Sequence, residues 1–183
     1  THGKTTTTAM LASAMKGAGV SPTVIVGSLL NNKTNFIAGD SKYLVVEACE
    51  YKRSFLNLHP AHVIITNIDN DHLDYYKDLD DIKSAFQELV NKVPRDGNIV
   101  THSDITLTHP HIRTADEVEV LPSELSVLGK HNRDNAQLVI AMCKLLGIEE
   151  NGVRKGLYEF TGTWRRMEYK KTLVKGQVIY DDY

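Results

Sequence analysis

Little in this chain points to a metal knot, a membrane or a polyanion. It holds two cysteines, Cys49 and Cys143, far apart and in no C-x-x-C spacing. That argues against a zinc site or a disulfide framework and fits a reducing, cytoplasmic setting. No apolar stretch approaches the ~18–20 residues that a bilayer-spanning helix needs. Neither sign of charge is in excess. Lys and Arg number 21 against 23 Asp and Glu, a formal net charge of −2. Nucleic acid and anionic membrane are therefore poor candidates for the main partner. No internal repeat and no low-complexity linker divides the chain.

What remains is ordinary globular material: 183 residues, 42% hydrophobic and 24% charged. That length suggests one domain, or one domain with a small appendage. Strand-like runs alternate with helix-like runs. Thr23–Gly27, Tyr43–Glu47, His62–Asn67 and Asn98–Thr101 are short, β-branched and apolar, as strands covered on both faces are. Asp78–Val93 carries Ile82, Ala85, Phe86, Leu89, Val90 and Val93 at the helical period, and Pro94 with Gly97 ends it. His131–Leu146 repeats the pattern, and Glu149–Tyr158 suits a shorter helix. The alternation predicts an α/β fold with a mainly parallel central sheet flanked by helices. The tail differs: 166–174 and 177–182 around Lys175-Gly176 predict an antiparallel hairpin. Residues 104–126 are irregular, with room for short strands and turns.

The first eight residues, T-H-G-K-T-T-T-T, look like the second half of a phosphate-binding loop, G-x-x-x-x-G-K-[ST]. The strand and first glycine of that pattern would lie before residue 1, and 5–18 reads as the helix that follows. In such a loop glycine lets backbone N–H groups approach phosphate, and the helix N-terminus adds partial positive charge. A lysine, here Lys4, reaches the outer phosphates, and a hydroxyl, here Thr5, ligates Mg²⁺. The competing reading is a helix start rich in threonine caps.

In open α/β sheets, ligands bind beyond the carboxyl ends of the strands. Glu47 stands at one such end, and Asn67 at another, followed by Ile68-Asp69-Asn70-Asp71-His72. Glu47 and His72 could hold a divalent ion there, or serve as a solvated strand end and a turn cap. Asn132 and Asn135 lie three apart on a helix face, where amides can read an adenine edge or satisfy the first turn. Arg165-Arg166 could steady a transferring phosphoryl group or pair with nearby carboxylates.

The order T-H-G-K-T-T-T, V-E-A-C-E, T-N-I-D-N-D-H-L-D-Y-Y, G-K-H-N-R-D-N-A, R-R-M-E, D-D-Y resembles the Mur ligase family over nearly the whole chain. The resemblance implies a P-loop NTPase-like central domain that binds ATP. The N-terminal, UDP-binding domain and the closing C-terminal domain of the family would lie outside residues 1–183. It further implies an ATP-dependent ligase of peptidoglycan-precursor synthesis. That enzyme joins the lactyl carboxylate of UDP-N-acetylmuramate to L-alanine through an acyl phosphate. Two alternatives stay open: the family's recycling ligase, which adds a ready-made tripeptide to the same sugar, and an inactive nucleotide-binding fragment.

Carried over position by position, His2, Gly3, Lys4, Thr5 and Thr6 match the phosphate loop. Thr5 and Glu47 match ligands of one Mg²⁺, and His72 matches a ligand of a second. His131, Asn132 and Asn135 match the adenine contacts. Arg166 matches the arginine near the phosphates, and Asp182 falls near the ribose. Lys4, His72 and Arg166 are the expected catalytic groups. Three departures stand out. Cys49 occupies the place of the usual aspartate in V-E-A-D-E, Gly27-Ser28 replaces a common Gly-Gly, and the first loop glycine is not among these residues.

Overall fold

The computed structural model describes residues 1–30, 33–166 and 168–182. Its first helix, α1 (Lys4–Gly17), has no side-chain cap; Gly3 starts it at φ +80°, a left-handed conformation that costs any residue with a Cβ. Thr5, Thr7, Thr8, Ala9, Met10, Ala12, Ala14 and Met15 are all buried. A helix buried over most of its length is an interior element, and α1 is the centre of the molecule.

Three strands follow. β1 (Thr23–Ile25) pairs parallel with β3 (Leu44–Val46) and antiparallel with β2 (Phe36–Ile37), in the order β2-β1-β3. A second sheet, β4-β5-β6, is wholly parallel: β4 (His62–Ile64), β5 (Asn98–Thr101) and β6 (Ile112–Thr114). Three of the expected strands are shorter than read from sequence, and the small edge strand β2 had no sequence signal. The expected single sheet is two: among the described residues, β3 ends the first and β4 ends the second.

The second sheet explains its own composition. Ile99 packs with Phe86 and Leu89 of α2 (Leu79–Val90), while its neighbour Val100 packs with Leu138 and Met142 of α3 (Lys130–Leu145). Successive strand residues point to opposite faces, so a sheet covered on both sides has no polar face. Each such buried side chain contributes about 1.5–3 kcal/mol. α2 begins where sequence placed it, with the Asp78 carboxylate accepting from the Asp81 N–H at 2.9 Å.

α4 (Glu150–Glu159) closes over α1. Gly156 permits this, since a Cβ there would come within 2.2 Å of the Ser13 carbonyl oxygen. The Ser13 hydroxyl donates to the Gly156 carbonyl at 2.7 Å. The tail forms the expected hairpin, β7 (Glu168–Thr172) with β8 (Val178–Asp181), turning through Gly176 at φ +84°. The 104–126 stretch carries β6 and a single 3-10 turn at Pro122–Glu124. Among the described residues, no helix is long and apolar enough to cross a membrane.

Candidate functional site

The site gathers where α1 begins and β3 and β4 end. Asn67, just past β4, holds the loop by its backbone. Its carbonyl accepts from the Thr1 amine at 2.8 Å, its Oδ1 from the His2 N–H at 2.8 Å, and its Nδ2 donates to the His2 carbonyl at 2.9 Å. The Thr66 hydroxyl donates to the same His2 carbonyl at 2.6 Å. The loop's path is thereby set by strand-end polar groups, leaving the His2 side chain exposed. Gly3 packs against Asn135: a Cβ at Gly3 would lie 3.0 Å from the Asn135 Oδ1. One of the two expected adenine amides is thus brought to the loop.

Two acid–base pairs divide the loop's side chains. The Thr5 hydroxyl donates to Glu47 Oε1 at 2.8 Å, and the Gly27 N–H donates to Glu47 Oε2 at 2.7 Å. Lys4 turns the other way. Its Nζ donates to the Thr1 carbonyl and lies 3.0 Å and 2.9 Å from the two carboxylate oxygens of Glu50. Glu50 is 1% exposed, and a carboxylate so buried is tolerated only with a partner charge. Its Oε2 meets Lys4 by charge without an aligned hydrogen bond. The Tyr76 hydroxyl anchors the Glu50 carbonyl at 2.5 Å, and burial pushes that phenol's pKa up.

His72 joins this second pair. At φ +53° its backbone is left-handed, which for a non-glycine residue is strain held by its surroundings. Its Nε2 sits 3.7 Å from Glu50 Oε1 and 3.8 Å from Asp71 Oδ2. Its ring lies against Tyr51 at 4.8 Å. Ligand atoms of Glu50, Asp71 and His72 fall within 4.8 Å of one another, close enough for one divalent ion to take all three.

The resemblance placed Thr5 and Glu47 at one Mg²⁺ and His72 at a second. The structure brings Thr5 and Glu47 together and puts His72 with Glu50. Glu50 and Asp71 were missed as site residues. The available signal was a second carboxylate in V-E-A-C-E and a second aspartate in D-N-D-H. What hid Glu50 is that four residues past the end of β3, direction depends on the turn. Cys49 is exposed and free, and its carbonyl accepts from the Phe55 N–H at 2.8 Å. The departure from V-E-A-D-E leaves the Lys4–Glu50 pair intact.

The remaining expected residues are more peripheral. Asn132 is buried, its amide donating to the Leu128 carbonyl at 2.7 Å. His131 is exposed, and Thr6 is half-buried. Arg166 is exposed and lines a 360 Å³ hollow with Gly27, Ser28, Asn35 and Arg165. Gly27 connects that hollow to Glu47. Asp182 is exposed at the end of the hairpin; its neighbour Asp181 lies 3.8 Å from Arg165 and 3.5 Å from Lys170.

Comparison with known proteins agrees with this geometry. Residues 1–121 match the Mur ligase middle domain. A UDP-N-acetylmuramate–L-alanine ligase of Caldicellulosiruptor saccharolyticus is 37% identical over 218 aligned residues, covering 100% of this chain and 48% of that one. Among solved structures, UDP-N-acetylmuramate-alanine ligase of Thermotoga maritima superposes with a TM-score of 0.84 at 29% identity. It covers 100% of this chain and 49% of its own. The UDP-N-acetylmuramate:L-alanyl-gamma-D-glutamyl-meso-diaminopimelate ligase of Neisseria meningitides gives 0.77 at 26% identity, covering 90% and 65%. The chain spans about half the length of the curated relatives it matches. A glycine-started helix, a lysine turned onto a buried glutamate and a middle-domain match over two-thirds of the residues lead to one conclusion: the chain belongs to the Mur ligase family.

Proposed function

We propose that this chain is the central, ATP-binding domain of a ligase that joins the lactyl carboxylate of UDP-N-acetylmuramate to L-alanine. The observation that carries the reading is the convergence at one helix start of Lys4, Thr5, Glu47, Glu50 and His72, from three separate segments. The names of the relatives supply the substrate pair, and their doubled length leaves room for further domains.

The residues present suit Mg²⁺–ATP. Hydroxyl and carboxylate oxygens at Thr5 and Glu47 are the hard donors that Mg²⁺ prefers. Mg²⁺ bound there would neutralise phosphate charge as the phosphoryl group moves to the substrate carboxylate. Lys4 carries a fixed positive charge, oriented by Glu50, toward the loop. The buried Glu50 also keeps the His72 ring at hand as a second ligand or hydrogen-bonding group. Asn135 against Gly3 places an amide for the nucleotide, with Asn132 one turn away. Arg166 faces the hollow beside Glu47, where an acceptor carboxylate and its acyl phosphate would need positive charge. The chemistry demands positioning and charge neutralisation rather than a protein nucleophile.

The test uses the full-length protein. Lys4→Ala and His72→Ala should each abolish L-alanine-dependent phosphate release from ATP. Near-normal release in either variant would overturn the reading. Competing L-alanine against the L-Ala–γ-D-Glu–diaminopimelate tripeptide separates this ligase from the recycling one. Residues 1–183 alone should bind ATP–Mg²⁺ weakly or not at all in isothermal titration and show no ligation.

A further inference from the structure

The turn that carries Asn132 and Asn135 has little of its own to hold it. α3 starts at Gly129, at φ +103°, with no side-chain cap. The first N–H groups of a helix have no partner within it, and a start without a capping side chain is the weaker for it. Asn132 bonds back to the Leu128 carbonyl, and Asn135 lies against Gly3. Further along, Leu138 and Met142 pack on Val100 of β5. That contact fixes the body of the helix rather than its start.

His102 supplies the missing hold. It follows Thr101, the last residue of β5, and β5 runs parallel beside β4. It therefore stands at the same edge of the sheet as Asn67 and the loop. Its side chain is 16% exposed, and its Nε2 lies 3.2 Å from the carbonyl oxygen of Asp134, the residue before Asn135. A carbonyl only accepts, so this bond requires the ring proton on Nε2. On the other side of the ring, Nδ1 lies 3.4 Å from Asp116 Oδ1, and Asp116 Oδ2 accepts from the Ser103 N–H at 2.9 Å. Desolvation pushes the Asp116 carboxyl up, but the Ser103 and Asp116 N–H groups and the His102 ring outweigh it and hold that carboxyl below its ordinary value. The ring is clasped between a carboxylate anchored beside β5 and the start of α3.

The Asp134 carbonyl does not need this bond. Inside α3 it already faces the N–H of Leu138, four residues on. The Asp134 carboxylate turns to Lys130, 2.9 Å away. The bond from His102 therefore satisfies no orphan group on the helix, and its effect is to fix where the turn stands. We infer that His102 is a positioning residue for nucleotide binding: from the end of β5 it holds the start of α3 so that Asn132 and Asn135 meet the base while the phosphates sit at Lys4 and Thr5. The inference rests on the ATP-binding part of the proposed function and on neither substrate of the ligation.

Titration of the full-length protein with ATP–Mg²⁺ tests it. His102→Ala should weaken binding about tenfold, the scale of one well-placed hydrogen bond. His102→Gln, whose amide N–H can reach the same carbonyl, should recover most of the loss. Asp116→Ala, which frees the ring without touching α3, should weaken binding about threefold, and it carries the test if His102→Ala does not fold. Tripolyphosphate, which has the phosphates and no base, should bind parent and variants alike. In steady-state assays the change should fall on KM for ATP, with kcat and KM for UDP-N-acetylmuramate near those of the parent. Equal ATP affinity in the parent and the two alanine variants would overturn the inference and leave the ligase reading standing. A tripolyphosphate loss as large as the ATP loss would also overturn it, because His102 would then support the fold at large. A parent that binds no ATP would overturn both.

Discussion

The two ends of the site are built differently. At the loop end, Lys4, Glu50, His72 and Tyr76 come from three segments and share one buried carboxylate. At the hairpin end, Arg165 and Arg166 stand over an open hollow, and Val174 at the hairpin tip is fully exposed. The loop end is organised before any ligand arrives, because leaving Glu50 without Lys4 would be costly. The hairpin end carries its charges on partly exposed surface. Under the proposed function, the loop end would serve as a fixed phosphate anchor and the hairpin end as the side that admits and releases substrate.

That contrast can be tested in order of expected effect. Lys4→Ala should lower unfolding free energy by about 3 kcal/mol, near the lower bound for stranding a buried charge, because the Lys4 side chain is a quarter exposed. Glu50→Gln made in addition should recover part of the loss, since a neutral amide tolerates burial better. Urea denaturation reads both, and a single variant as stable as the parent would break the comparison.

Next in size is a pH effect peculiar to residues 1–183. The Thr1 amine has an ordinary value of 8.0 and is lowered to about 6 when folded. Between these values the unfolded chain holds a proton that the folded chain lacks, so stability rises with pH through that window. The gain is at most about 3 kcal/mol, from roughly two units of displacement. Acetylating the amine should flatten the profile; a flat profile in the unmodified chain would contradict the enclosure of Thr1.

Arg165→Ala should be smallest. Its guanidinium is partly exposed and 3.8 Å from Asp181, a pair worth roughly 0–1 kcal/mol. A loss as large as that of Lys4→Ala would erase the difference between the two ends.

Much of this was legible in advance, and the reasons are local. α2 is found where Asp78 and the Ile82–Val90 periodicity put it, because caps and amphipathic stripes act within one or two turns. The hairpin follows from Lys175-Gly176, and Gly176 takes the positive φ that such turns use. Asn67, read only as a strand end, turned out to clamp residues 1 and 2. Glu47, read as a strand-end carboxylate, lies one residue past β3 and meets Thr5 of the loop; its N–H still bonds to Ile25 of β1, which holds it to the strand's direction.

The amino-acid order alone determined the family, the order of elements and the residue types able to handle a nucleotide. These are properties of short segments, each carrying its own signal. The tertiary structure alone decided that Lys4 meets Glu50 and Thr5 meets Glu47, that His72 joins the former, and that His102 reaches Asp134. Those partners lie from 22 to 46 positions apart. Which of two carboxylates a lysine meets across such a distance is set by how strands and helices stack, and no local pattern records it.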